Sequence, residues 1–217
     1  IEENLPKYQH ARSVYLERNR VYSVHDLRLG RLATTPVDYE FVDQDGNTKE
    51  DADEVEYKQN MKEEINLLSK WKRRCGYERT NPERLAATDL AIRIRQCYKD
   101  TVCCFMRHIE VWHEWSTWEL LNAGIAGAGA STAPGSAKKR NSNLSIGVLQ
   151  LGQKHVPDST LLAYAHAQIL ETQPSDGRRS PGDEAVQVMI DFCEREGNTL
   201  GFILLQRLVR KYKGIKE

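Results

Sequence analysis

The chain has 217 residues, of which 40% are hydrophobic and 29% are charged. Its 31 lysine and arginine residues balance 31 aspartate and glutamate residues, so the formal charge is zero, which disfavours a general polyanion-binding protein. No apolar run approaches the ~18 residues of a membrane span, and the first residues show no signal-peptide pattern. The mean hydropathy of −0.63 favours many helices with one solvated face each over a single thick globule.

The N-terminal part of the sequence predicts one long helix followed by an acidic loop. Apolar residues recur at roughly helical spacing over 5–30, and Gly30 and Pro36 end the pattern. We therefore expect residues 1–36 to contain a long helix that ends a preceding repeat unit. Residues 37–56 hold nine acidic residues against one lysine, which predicts a solvated loop. The chain does not start with methionine, and we interpret it as an internal segment of a longer protein.

The middle of the sequence predicts three helices and a flexible insert. A helix is expected over 56–77, after which the Asn81-Pro82 break should cap a second helix over 83–106. A third helix, which carries three tryptophans, is expected over 109–122. Residues 123–137 are rich in glycine and alanine, which is typical of a flexible linker.

The remaining sequence predicts four more helices, and no run of alternating β-branched residues indicates a strand. These helices are expected over 139–155, 158–172, 183–196 and 199–213. Helices joined in pairs by short breaks predict an all-α fold, a superhelical solenoid of antiparallel helix pairs. The pairs fall into consecutive expected repeats at 57–106, 109–156, 158–196 and, in part, 199–217.

The strongest local pattern is an aromatic row that ends in a glutamate. Trp112, Trp115 and Glu119 are spaced i, i+3 and i+7, so they share one face of the predicted helix 109–122. Two flat rings at this spacing fill the groove against a partner helix. The carboxylate at the end of the row can bind a polar group of the neighbouring unit.

The same register recurs in other helices, which indicates a repeat. Together with the row above, we interpret the recurring residues as a repeat-packing signature: Trp71 with Glu78, Tyr164 with Glu171, and Phe202. This pattern resembles the HAT repeat, the half-a-tetratricopeptide (TPR-like) unit of RNA-processing scaffolds.

Consecutive blocks of the sequence narrow the resemblance to one family. The break from Tyr77 to Pro82, the block 109–115 and the stretch 199–216 are similar, in this order, to the suppressor-of-forked family, the large HAT subunit of cleavage stimulation factor. Asn81 and Pro82 join the signature because they form this break. Arg74 departs from the family pattern, which usually has an aromatic residue there, and Ala167 is small at the equivalent position.

The resemblance implies a nuclear, non-catalytic scaffold of the pre-mRNA 3′-end cleavage and polyadenylation machinery. It implies binding to other protein subunits of that machinery, a homodimer in the full-length protein, indirect contact with RNA through partner subunits, and no membrane. A HAT scaffold of another RNA-processing complex, such as a splicing factor of the crooked-neck type, remains an alternative. So does a direct RNA-binding solenoid, although the neutral charge counts against it.

Three further features allow more than one interpretation each. Trp118 adds a third ring to the aromatic row, so it is a candidate interface with a partner or a second copy, or else part of the core. The basic cluster Lys70, Lys72, Arg73 and Arg74 could be a solvated patch, a localisation or RNA contact, or a partner for acidic residues of a neighbouring unit. Cys104 and His108 lie one turn apart near Cys103 and His113, but no second cysteine pair follows, so we predict no metal and no cofactor.

Overall fold

The computed structural model describes residues 4–22, 52–122, 134–173 and 180–213, and within them the side chains of 4–22, 62–122, 143–173 and 180–212. Every regular element in these ranges is an α-helix, which confirms the predicted all-α class. The helices are α1 (Leu5–Tyr22), α2 (Ala52–Arg79), α3 (Ala87–Cys104), α4 (Ile109–Asn122), α5 (Pro134–His155), α6 (Thr160–Glu171), α7 (Pro181–Glu196) and α8 (Thr199–Lys213). None of them combines the length and apolar character needed to cross a membrane.

Two helices begin inside segments that the sequence predicts to be loops. α2 starts at Ala52, within the expected acidic loop 37–56. The sequence places Asp53 and Glu54 directly after Ala52, and acidic residues at this position of a sequence favour the start of a helix. α5 starts at Pro134, within the expected linker 123–137, because proline is well suited to the first position of a helix. The rest of both segments, 37–51 and 123–133, lies outside the described residues, as does the predicted continuation of α1 beyond Tyr22.

The break before α3 is a closed loop, and the predicted cap is wrong. α3 begins at Ala87, and its N-cap residue Ala86 makes no side-chain capping bond within the described residues. Asn81 adopts a left-handed conformation, with φ of 52°. Its side chain accepts a hydrogen bond from the Leu85 amide at 2.7 Å and donates one to the Leu85 carbonyl oxygen at 3.0 Å. These two bonds hold the chain out of a helix until residue 86.

The later helices have conventional ends. The Ser159 hydroxyl accepts a hydrogen bond from the Leu162 amide at the start of α6, and Ser180 does the same for the Asp183 amide of α7. Gly197 ends α7 with φ of 62° and donates its amide to Cys193 O at 2.9 Å. These caps separate α6, α7 and α8 cleanly.

The helices stack in chain order as antiparallel neighbours. Each helix packs on the next one, and the even-numbered helix α6 also touches α4 and α8. Two ion pairs extend this row to α2, between Lys72 and Glu110 and between Arg79 and Glu114. Contacts that connect each helix to its first and second neighbours along the chain are those of a solenoid.

The buried side chains form two clusters that share α6. The larger one runs from α2 to α6 and includes Trp71, Tyr98 and Trp112. The smaller one joins α6, α7 and α8 around Met189 and Phe192. α6 contributes to both through opposite faces, and many of its buried residues are small alanines at 163, 165 and 167, which let neighbouring helices approach closely.

Gly152 tests the packing between α4 and α5. A methyl group at Gly152 would lie 2.9 Å from Trp112 Cγ, and Trp112 is 0% exposed, so the ring has little room to move. We expect Gly152→Ala to lower the free energy of unfolding by about 1–3 kcal/mol, measured by urea denaturation. Gly147→Ala on the same helix meets nothing within 4 Å and should instead stabilise the protein, by up to about 1 kcal/mol. A stabilising Gly152→Ala would contradict the close contact.

The buried His166 on α6 predicts a dependence of stability on pH. Burial lowers the pKa of His166 from 6.5 to about 4, and its Nδ1 has no hydrogen-bond partner within the described residues. The unfolded chain therefore binds a proton below pH 6.5 that the folded chain does not, and stability should fall between pH 6.5 and pH 4.

Replacing His166 with leucine should flatten that part of the profile of unfolding free energy against pH. The matched control is His113→Leu, because His113 is exposed on α4 and its loss leaves His166 in place. An unchanged slope in His166→Leu would show that other groups determine it.

Candidate protein-interaction site

The carboxylate of Glu119 on α4 is buried and held by the preceding helix. The residue is 2% exposed, and Arg95 on α3 donates to it from Nε at 2.7 Å and Nη2 at 2.8 Å. Trp115, one turn earlier on α4, donates its indole N–H to the same carboxylate at 3.1 Å. The hydrogen bonds to Glu119 raise the pKa of the Arg95 guanidinium, so the arginine stays charged.

Glu78 on α2 repeats this arrangement one unit earlier. It is 1% exposed, and Arg18 on α1 donates from Nε at 3.2 Å and from Nη2 at 3.3 Å. The Tyr22 hydroxyl donates to it at 2.6 Å, and Arg93 of α3 lies 3.8 Å away. In both units, the glutamate of an even-numbered helix is bound by an arginine of the helix before it.

Glu171 on α6 has a different partner. Lys211 of α8 donates to it at 3.0 Å, and the Glu171 side chain keeps 14% exposure. The described residues of α5 provide no arginine equivalent to Arg18 or Arg95, because none occurs in 143–155. The bond therefore points to the following even-numbered helix and is weaker, since its lysine is largely solvated.

A continuous row of stacked rings crosses α3, α4 and α5. Tyr98 stacks on Trp115 with centroids 5.9 Å apart, Trp115 on Trp112 at 6.2 Å, and Trp112 on His155 at 5.7 Å. Trp112 also donates its indole N–H to the Met106 carbonyl at 2.7 Å. The row joins two successive helix pairs through flat surfaces that resist sliding.

Arg74 on α2 occupies the position where the resemblance leads us to expect an aromatic residue. Its guanidinium lies 4.2 Å from the Tyr22 ring centroid and 5.1 Å from that of Trp71. Asp100 of α3 accepts a hydrogen bond from its Nη2 at 2.8 Å. A planar cation between two rings gives a packing surface similar to that of a third ring. The departure from the family pattern is therefore compensated by cation–π contacts.

The weaker copies of the signature differ in their packing. Tyr164 is half-buried beside the smaller core, and Ala167 is 0% exposed. Phe202 is 50% exposed, so the structure does not place it in the described core as expected. The reason is the rotation of α8, which turns Gly201 against the Phe192 ring and buries Leu208.

Pro82 and the cysteine and histidine residues considered for zinc lie in separate places in the structure. Pro82 is half-buried in the loop that Asn81 closes. His108 hydrogen-bonds to Glu64, and Cys103 is exposed, so the residues considered for zinc do not converge. Within the part of the chain that the structure describes, no group of three or more His, Cys, Asp or Glu side chains is placed to hold a metal ion.

Sequence reasoning missed the partners of the buried glutamates. Arg18 and Arg95 lie in helices that precede their glutamates, and nothing in the spacing distinguishes them from the other basic residues. Their positions in the helices differ as well, since Arg18 lies near the C-terminal end of α1 and Arg95 lies in the middle of α3. The predicted basic cluster proves to be partly paired, with Lys72 bound to Glu110 and Arg74 to Asp100.

Trp118 is buried to 8% exposure but lines an open groove between α3 and α4. The groove has a volume of about 550 Å³ and is walled by Leu90, Ile94 and Leu121 among other residues. It is open because α2 ends at Arg79, which pairs with Glu114, whereas α4 continues for two further turns. Leu121 is 73% exposed there, so the groove is an apolar surface available to a partner.

The sequence model of the Suppressor of forked protein (Suf) matches residues 1–189. The chain belongs to this family. Cleavage stimulation factor subunit 77 of Arabidopsis thaliana is similar, with 23% identity over 216 residues that cover 100% of this chain and 23% of that protein. The chain thus spans under a quarter of the length of its curated relative. No solved structure matches it. The resemblance to the suppressor-of-forked family, predicted from the sequence blocks, is confirmed.

The buried pair of this Suf chain can be tested by removing one charge. Glu119→Gln keeps the shape of the side chain but leaves Arg95 without a carboxylate, and we expect a loss of about 1.5–3 kcal/mol in the free energy of unfolding. Glu114→Gln on the same helix breaks a half-exposed pair with Arg79 and should cost under about 1 kcal/mol. Both unfolding free energies are measured by chemical denaturation. Equal decreases in the two variants would show that the buried pair of Glu119 stabilises the fold no more than the half-exposed pair of Glu114.

Proposed function

We propose that this chain is part of a non-catalytic scaffold of the pre-mRNA 3′-end cleavage and polyadenylation machinery. The observation that carries the proposal is the match of the Suf family to residues 1–189. The similarity of the whole chain to a protein named cleavage stimulation factor subunit 77 supports the same process. By this reading the protein acts in the nucleus and binds other protein subunits of the machinery.

The described architecture suits a scaffold. We propose four repeat units, at 57–106, 109–156, 158–196 and, in part, 199–217. Their described helices are, in the same order, α2 and α3, α4 and α5, α6 and α7, and α8. The buried pair Glu119–Arg95 fixes the unit 109–156 against the unit 57–106. A solenoid of fixed curvature holds its partners at set distances, so several weak contacts act together. A second copy in a full-length homodimer would double that number of contacts.

The groove beside Trp118 is the surface that we assign to a partner subunit. Its walls are mainly apolar, and Arg79 and Glu114 at its rim neutralise each other. This chemistry fits an apolar segment of a protein better than an RNA strand, which needs unpaired basic residues. RNA would then be reached indirectly, through the partner subunits.

The test is affinity purification of the full-length protein followed by mass spectrometry of its stable partners. We expect subunits of the cleavage and polyadenylation machinery, and we expect Leu121→Asp to lower the recovery of at least one of them, because it places a charge in the apolar groove. The matched control is Ile92→Asp. Ile92 is 64% exposed on α3 but does not line the groove, so recovery should stay unchanged.

Other results would separate the parts of the proposal. Recovery of splicing proteins instead would keep the repeat fold and overturn the assignment to 3′-end processing. Equal recovery by both variants would keep the scaffold and remove the groove as a contact. Binding of purified protein to RNA, with an affinity that falls steeply with salt, would favour the RNA-binding alternative.

A further inference from the structure

A second pocket opens where α1, α2 and α3 meet. It has a volume of about 280 Å³ and is lined by Arg18, Tyr22, Arg74, Arg93, Gln96 and Cys97. Three guanidinium groups therefore face one small space, and none of the described residues that line it is acidic. An arginine-walled space of this size is shaped for an anion.

The acidic residues nearby hold the arginines from outside the pocket lining. Glu78 binds Arg18 from its buried position, Glu83 binds Arg18 and Arg93, and Asp100 binds Arg74. Each of these bonds fixes the orientation of a guanidinium group. All three nitrogens of Arg18 take part in such bonds, whereas Arg74 and Arg93 each bind through one terminal nitrogen, so the N–H groups left for a ligand are mainly those of Arg74 and Arg93. The pocket is thus pre-organised, so a ligand would not have to immobilise long side chains itself.

One donor in this cluster is unsatisfied. The Nε atom of Arg74 is buried and has no hydrogen-bond partner within the described residues. The Arg74 side chain is 13% exposed, and its guanidinium is clamped by the Tyr22 and Trp71 rings. Burying an N–H donor without an acceptor is costly, so the Arg74 guanidinium lacks a full set of acceptors among the described residues.

We infer that this pocket binds the phosphate group of a phosphorylated side chain on a protein partner. Three guanidinium groups match the three terminal oxygens of a phosphate monoester better than the two oxygens of a carboxylate. An RNA strand fits less well, because its further phosphates would pass the half-exposed carboxylates of Glu83 and Asp100. This inference concerns the pocket alone and does not rest on the proposed function.

The test is titration of the 217-residue chain with inorganic phosphate, followed by NMR of the arginine Nε–H signals. We expect saturable binding that shifts the Arg74 signal, whereas acetate at equal ionic strength should bind at least tenfold more weakly. Arg93→Gln should weaken phosphate binding roughly tenfold or more, since one charged hydrogen-bond donor is lost. Arg93→Lys should restore part of the affinity, because the charge returns without the planar fork.

The control is Arg73→Gln, which removes an exposed arginine next to Arg74 that does not line the pocket. It should bind phosphate as the parent does. The same response in Arg93→Gln and Arg73→Gln would overturn the inference, as would acetate binding as tight as phosphate binding. A 20-nucleotide RNA that binds the parent and loses its affinity in Arg93→Gln would assign the pocket to nucleic acid instead.

Discussion

The stacking of this solenoid depends on buried carboxylates that, in two successive units, are neutralised by an arginine of the preceding helix. An ionised glutamate with almost no exposure costs several kcal/mol unless a cation reaches it with good geometry. For Glu119 that cation is Arg95, and for Glu78 it is Arg18. A rotated or shifted helix would leave the charge unpaired, so the pair excludes alternative registers between successive units more than it adds to total stability. The aromatic row from Tyr98 to His155 then fills the space that this register defines.

The helix contacts are filled by side chains of different chemistry. Arg74 places a planar cation between two rings. Ala167, although small, is completely buried in the smaller core. Gly152 is the opposite case, where the absence of a side chain makes room for Trp112. In each case the volume at the helix contact is matched, which is the condition that a well-packed interior imposes.

The bounds of the helices were predictable where helix-breaking residues flank them. The arginines that bind the buried glutamates were not predictable. The bounds of α4 and α8 follow from the sequence, since Gly197-Asn198 precedes α8 and the glycine-rich stretch follows α4. The start of α3 was mispredicted because Glu83, Arg84 and Leu85 favour helices, while the two bonds from Asn81 to Leu85 override them. The periodicity placed Glu78 and Glu119 on the contact face. It could not identify Arg18 or Arg95, because pairing between units depends on helix rotation in three dimensions.

Because α6 contributes to both hydrophobic cores, it determines the order in which the described helices unfold. Its two faces lie in separate cores, so melting of α7 and α8 would strip one face of α6 while the other remained anchored on α4 and α5. The helix would then persist as the frayed end of the larger core and would not unfold with the smaller one. The smaller core, by contrast, cannot survive loss of α6, because its alanines at 163 and 167 form the floor on which Val186 and Met189 rest. The cooperativity of unfolding is therefore directional. Unfolding that starts in α8 or α7 stops at α6, whereas unfolding of α6 also unfolds α7 and α8.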